Sequence, residues 1–98
     1  MKINFQAINF NSEASLTEYV EKKMSKIETL YDKIISVSVY LKLMNNNTKQ
    51  NKSSEIILHI PGEDIVVKKE GQSFEECIDL SLDVIKNKIE KEKNKKVK

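Results

Sequence analysis

Ile34-Ile35-Ser36-Val37-Ser38-Val39-Tyr40-Leu41-Lys42-Leu43-Met44 alternates residue by residue, with Ile35, Val37, Val39, Leu41 and Leu43 on one side and Ser36, Ser38, Tyr40 and Lys42 on the other. Successive strand side chains point to opposite faces, so this stretch reads as a strand with one face in the core. Downstream, Asn45 to Lys52 carries no apolar residue and reads as a flexible loop closing a hairpin. The returning strand covers about 54–60, with Ile56, Leu58 and Ile60 inward and Glu55, Ile57 and His59 outward. Pro61-Gly62 supplies the next turn, and Asp64 to Lys69 form a further strand with Ile65 and Val67 inward.

Upstream the period changes. Leu16, Val20, Met24, Ile27 and Tyr31, flanked by Tyr19 and Leu30, follow the three-and-four spacing of an amphipathic helix. Ser12, or a capping box from Ser15 to Glu18, is its expected cap. Before it, residues 2–9 alternate again, with Ile3, Phe5 and Ala7 on one side and Lys2, Asn4 and Gln6 on the other. At the far end Gly71 breaks the last strand, and Ser73 to Glu76 forms a capping box. Phe74, Ile78, Leu82, Ile85 and Ile89 then give a second helical stripe, with Cys77 and Ser81 beside it.

The order is therefore β-α-β-β-β-α. Hairpin-length loops make the last three strands antiparallel, and the helical crossover makes the first two parallel and right-handed. Both helices must cover the apolar sheet face. The expected fold is a two-layer α+β domain: a four-stranded mixed sheet with two helices on one face. Its other face, with Asn4, Gln6, Ser36, Ser38, Tyr40, Lys42, His59 and Lys68, is left largely polar. Ninety-eight residues allow one domain, read as residues 1–90, and leave 91–98 as a frayed lysine-rich tail.

Composition excludes several classes of function. The N-terminus lacks the apolar block of a signal peptide, and no apolar run approaches the ~20 residues that span a bilayer. A single cysteine leaves no intramolecular disulfide, and a soluble cytoplasmic protein is expected. There is no C-x-x-C, H-x-x-x-H or calcium-loop spacing, so no metal is expected. With Gly62 and Gly71 the only glycines, no phosphate-binding loop exists, and no cofactor or small-molecule substrate is expected. His59 lies mid-strand and reads as a sheet-surface residue, and Cys77 reads as a small buried thiol, so an enzyme is not expected.

Lysine placement carries the functional signal. The net charge is only +2, yet all 17 basic residues are lysine. Residues 63–85 hold two lysines and seven acids, whereas 86–98 hold seven lysines and two acids. Lys22, Lys23 and Lys26 lie within about a turn of the first helix, Lys23 and Lys26 on its expected solvent side, and Lys33 follows its end. Lys86, Lys88, Lys91 and Lys93 crowd the end of the second. Such rows attract a phosphate backbone through counterion release. Alone they denote a polyanion without saying which.

Three blocks resemble the short ribosome hibernation-promoting factors, also called ribosome-associated inhibitor or sigma-54 modulation proteins. Leu16-Thr17-Glu18-Tyr19-Val20-Glu21-Lys22-Lys23-Met24-Ser25-Lys26-Ile27-Glu28, continued by Tyr31-Asp32-Lys33-Ile34, is similar to the family's first helix. Leu58-His59-Ile60 before a glycine turn resembles its L-H-V, and Glu70-Gly71-Gln72-Ser73-Phe74 with Ile78-Asp79 resembles E-G-x-D-[MF]-Y-x-A-I-D. The resemblance implies a fold similar to the double-stranded-RNA-binding domain. It also implies a factor, acting in stationary phase or stress, that occupies the messenger and transfer RNA channel of the small ribosomal subunit. Translation is thereby blocked and idle ribosomes are protected. Carried over position by position, the residues implied to contact ribosomal RNA are Lys23, Lys26, Lys33, Lys91 and Lys93. The chain departs from the family at Val84 and Asn87, where a lysine and an arginine are usual, and Lys86 and Lys88 stand beside them. A general double-stranded RNA-binding module and a protein-interaction adaptor are the competing readings.

Overall fold

A computed structural model describes residues 1–45 and 49–94. In chain order the elements are β1 (Lys2–Ile8), α1 (Ala14–Leu30), β2 (Ser36–Leu43), β3 (Lys52–Ile60), β4 (Glu63–Gly71) and α2 (Phe74–Asn94). The sheet order is β1-β2-β3-β4. β1 runs parallel to β2, from Lys2 opposite Ser36 to Ile8 opposite Lys42, and the other two pairings are antiparallel. This is the mixed sheet expected from the loop lengths.

Register turns the alternation into continuous rows across the sheet. Ile3, Val37, Leu58 and Ile65 form one, and Phe5, Val39, Ile56 and Val67 the next. Against them lie Leu16, Val20, Met24 and Ile27 of α1 and Ile78, Leu82, Ile85 and Ile89 of α2, in one buried core. Burial of such side chains stabilises the domain by about 1.5–3 kcal/mol each. α2 packs across β3 and β4, and α1 lies against β1 and alongside α2. A third inward row, Ala7, Leu41, Ser54 and Lys69, brings a hydroxyl under α2. There Ser54 Oγ and Ser81 Oγ lie 3.0 Å apart, and the Ser81 hydroxyl donates to the Cys77 carbonyl at 2.7 Å.

At the β3–β4 turn, Pro61 supplies a fixed φ and Gly62 a φ of 89°, the combination a type II turn uses. Gly71 is closely packed instead. A Cβ there would meet Glu76 Oε1 at 2.8 Å and Cys77 Sγ at 3.3 Å, where α2 begins.

Three local expectations change. Ile35 is 61% exposed, because paired β2 begins at Ser36 and Ile34 takes the buried place as the chain leaves α1. Neither Ser12 nor Ser15 caps α1: its N-cap is Glu13, whose carbonyl accepts from the amides of Leu16 and Thr17. Ser12 Oγ instead lies 3.1 Å from Thr17 Oγ1. Ser73 does cap α2, accepting from the Glu76 amide at 3.1 Å. Finally, α2 continues through Asn94, four residues into the segment read as a frayed tail. Glu90-Lys91-Glu92-Lys93 are good helix formers, and Lys91 and Lys93 suit the negative end of the dipole. Residues 95–98 lie outside the described residues, as do 46–48 of the loop read as flexible; beside them the Met44 amide donates to the Asn51 carbonyl.

Candidate nucleic-acid interface

The two helices run parallel, because each follows a strand of the same direction and returns across the same sheet face. One hydrogen bond sets their relative level. The Tyr19 hydroxyl donates to Asp79 Oδ1 at 2.6 Å, and these are equivalent positions, each the sixth residue of its helix. Two turns on, about 10 Å along the axes, stand Lys26 and Lys86 at equivalent positions. Two turns further α2 presents Lys93, and Lys33 follows the end of α1. Asp79, Lys86 and Lys93 repeat every seven residues and so share one flank of α2, the flank that reaches α1. Lys22, Lys26, Lys33, Lys86 and Lys93 are all exposed. The groove between the helices is thus lysine-lined over its C-terminal half.

Lys23 differs from its neighbours. Its side chain is 25% exposed, its Nζ lies 3.8 Å from Asp79 Oδ1, and the ammonium sits 5.3 Å from the centroid of the Tyr19 ring. It belongs to an interhelical cluster and not to the open solvent side expected for it. Within that cluster, burial, the Asp79 hydrogen bond and the nearby charges of Asp79 and Glu75 push the Tyr19 hydroxyl up to about 12. Each of these causes opposes formation of a phenolate.

Lys88 and Lys91 leave the groove. They line a surface depression on the other flank of α2, with Val84, Asn87, Ile65, Glu63 and Asp64. Their charges are therefore presented beside acids at the β3–β4 turn, separately from Lys26, Lys86 and Lys93. Seven-residue periodicity around Asp79 was the available signal in the sequence. What it lacked was the knowledge that Asp79 meets Tyr19.

Residues suited to other chemistry have structural duties. Cys77 is fully buried, its thiol donates to the Lys52 carbonyl at 3.4 Å, and burial together with Glu76 pushes it up to about 11. On the open sheet face His59 Nδ1 lies 2.9 Å from Asp64 Oδ1, and His59 Nε2 lies 3.2 Å from Ser38 Oγ. An ionised Asp64 can only accept, so in the neutral ring Nδ1 carries the proton and Nε2 accepts from Ser38. That is the order of a nucleophile, base and orienting carboxylate. Ser38, however, is 7% exposed in the middle of β2, a strand paired on both sides, with no backbone donor free for an oxyanion. The bonds tie β2, β3 and β4 together. Among the described residues no group of three or more His, Cys, Asp or Glu side chains converges as a metal site, and no helix is long and apolar enough to cross a membrane.

Known proteins agree with this architecture. A ribosomal subunit interface protein from Coxiella burnetii has a similar fold, with a TM-score of 0.83 at 21% identity, over 96% of this chain and 99% of that one. The N-terminal domain of Thermus thermophilus Protein Y gives 0.77 at 23% identity, over 93% and 98%. In sequence, a ribosome hibernation promoting factor of Escherichia coli K12 is 32% identical across 97% of this chain and 96% of its own length. One from Azotobacter vinelandii is 29% identical across 99% and 87%. Residues 3–97 match the family described as sigma 54 modulation protein / S30EA ribosomal protein. With that match across nearly its whole length, the chain belongs to the sigma 54 modulation protein / S30EA ribosomal protein family.

Proposed function

We propose that this protein is a ribosome hibernation factor that binds the small ribosomal subunit through ribosomal RNA phosphates. It acts in the cytoplasm under stress or in stationary phase, without catalysis or cofactor. Occupation of the messenger and transfer RNA channel blocks translation and keeps idle ribosomes from being degraded. One observation carries the reading: Tyr19 bonds Asp79 between parallel helices, and Lys26 and Lys86 each follow that pair by seven residues, with Lys33 and Lys93 seven residues further on. Family membership makes the ribosome the partner. Because the chain has lysine and no arginine, its contacts are point charges without bidentate geometry, and binding should weaken steeply with salt. Lys22 and Lys23 flank this row, while Lys88 and Lys91 make a second, smaller contact from the opposite flank of α2.

Sedimentation with small subunits, whole ribosomes and a generic RNA duplex tests the reading. Stoichiometric binding to subunits at moderate salt, with little duplex retained, is expected. The triple variant Lys26→Glu/Lys86→Glu/Lys93→Glu should bind subunits more weakly and with a shallower salt dependence, since each phosphate contact accounts for about 3-fold of the fall in affinity between 50 and 200 mM salt and three lost contacts remove roughly 30-fold of it. Equal binding to all three partners would leave a general RNA-binding module, and subunit binding unchanged in the variant would point to an adaptor.

A further inference from the structure

The groove between the helices changes sign along its length. Glu75 and Asp79 stand one turn apart on the flank of α2 that reaches Tyr19, and both act on the Tyr19 hydroxyl. Lys86 and Lys93 continue the same flank. On α1 the facing row is Tyr19, Lys23 and Lys26, stepping by four and three residues. Lys23 is the one lysine of this row at the acidic end, and its ammonium is drawn to Asp79, 3.8 Å away. The acidic end thus has its cation answered internally, and the basic end presents Lys26, Lys86 and Lys93 to solvent.

Asp79 is also held in place. The Tyr19 hydroxyl donates to Oδ1 at 2.6 Å, a short charge-assisted bond, and Lys23 approaches the same oxygen. Two partners on one oxygen fix the carboxylate in the groove while 55% of the side chain remains exposed. With Glu75 beside it, two carboxylates against the one Lys23 ammonium leave this end net negative, and because the Asp79 carboxylate is fixed its repulsion of a phosphate is not relieved by rotating the side chain away.

We propose that Asp79 is a specificity-determining residue of the groove, a fixed negative stop that confines RNA phosphates to the C-terminal half. This rests on the RNA-binding reading above and adds the class of RNA shape selected. A run of phosphates that ends or bends away within about two helical turns is accepted. A regular A-form duplex laid along the groove meets Asp79 and Glu75 and is rejected. Folded ribosomal RNA offers such interrupted backbone, whereas generic duplex does not. Tyr19 and Lys23 are positioning residues for this charge.

Asp79→Asn tests the idea, because an amide oxygen still accepts from Tyr19 and only the charge is lost. Affinity for a 20-base-pair RNA duplex should rise roughly 5-fold at low salt, with the logarithmic salt slope steeper by about one as Lys23 becomes available. Affinity for small subunits should change less than 2-fold. Glu75→Gln, on the same flank, should act in the same direction more weakly and stands in if Asp79→Asn melts early. Unchanged duplex affinity and slope in both variants, with Lys86→Glu/Lys93→Glu still weakening subunit binding, would overturn the role of Asp79 and spare the ribosome reading. Subunit binding that survives Lys86→Glu/Lys93→Glu would overturn both.

Discussion

Ser54 and Ser81 form a buried polar pair whose cost of disruption depends on which hydroxyl is removed. They are 2% and 0% exposed, with their oxygens 3.0 Å apart. Ser81 spends its only proton on the Cys77 carbonyl at 2.7 Å, so the bond between the two serines must be donated by Ser54. Ser54→Ala deletes one hydrogen bond and leaves the Ser81 proton satisfied, which costs about 1 kcal/mol. Ser81→Ala deletes its own bond and leaves the Ser54 hydroxyl without an acceptor; about 3 kcal/mol is lost, and the better helix propensity of alanine returns about 0.5. For a domain of this size these losses correspond to melting temperatures lower by about 4–8 °C and 10–20 °C. In the double variant no orphaned hydroxyl remains, so it should be more stable than Ser81→Ala alone. Thermal and urea unfolding of the three variants gives the cycle. Equal single effects that simply add would refute the assigned donor directions. The pair matters for function because it seats α2 on β3 and so helps set which lysines turn toward α1.

Two further outcomes follow from shifted ionisations. Tyr19 ionises near 12 in the folded protein against 10 when unfolded, so below pH 10 its contribution to stability is complete. Between about pH 10 and 12 the unfolded chain loses the proton and the folded one keeps it, so stability should fall there. Tyr19→Phe should flatten that fall and remove the latest phenolate absorbance step; a Tyr19 step near pH 10 would contradict the Asp79 bond. Cys77, pushed up to about 11, should be roughly a thousandth ionised at pH 8. Aromatic disulfide reagents should therefore label it at least 100-fold faster in denaturant than in buffer, and equal rates would show an open helix-strand contact.

How far the sequence could be read varies with the range of the interaction involved. Strand faces apart from Ile35, both helical stripes, the Ser73 cap and the Pro61-Gly62 turn are encoded by residues within one or two turns of each other, and they appear as expected. The start of α1 is not legible because no side chain caps it: the first amides go to the backbone carbonyl of Glu13, and the Ser12 hydroxyl turns to Thr17. The lysine clusters were visible as counts along the chain. Their division into Lys26, Lys86 and Lys93 in the groove and Lys88 and Lys91 outside it was not, since neighbouring lysines on a helix point in different directions.

By itself, then, the sequence determined the order of elements, the direction of every strand and the presence of a strongly basic helix end, because periodicity and loop length are local quantities. Tertiary structure alone decided the level at which α1 and α2 meet and the rotation of each about its axis. Those are set by contacts sixty residues apart, Tyr19 with Asp79, and by the hydroxyls of Ser54 and Ser81 beneath α2. From them come the equivalent placement of Lys26 and Lys86 on the two helices and the contact of Lys23 with Asp79.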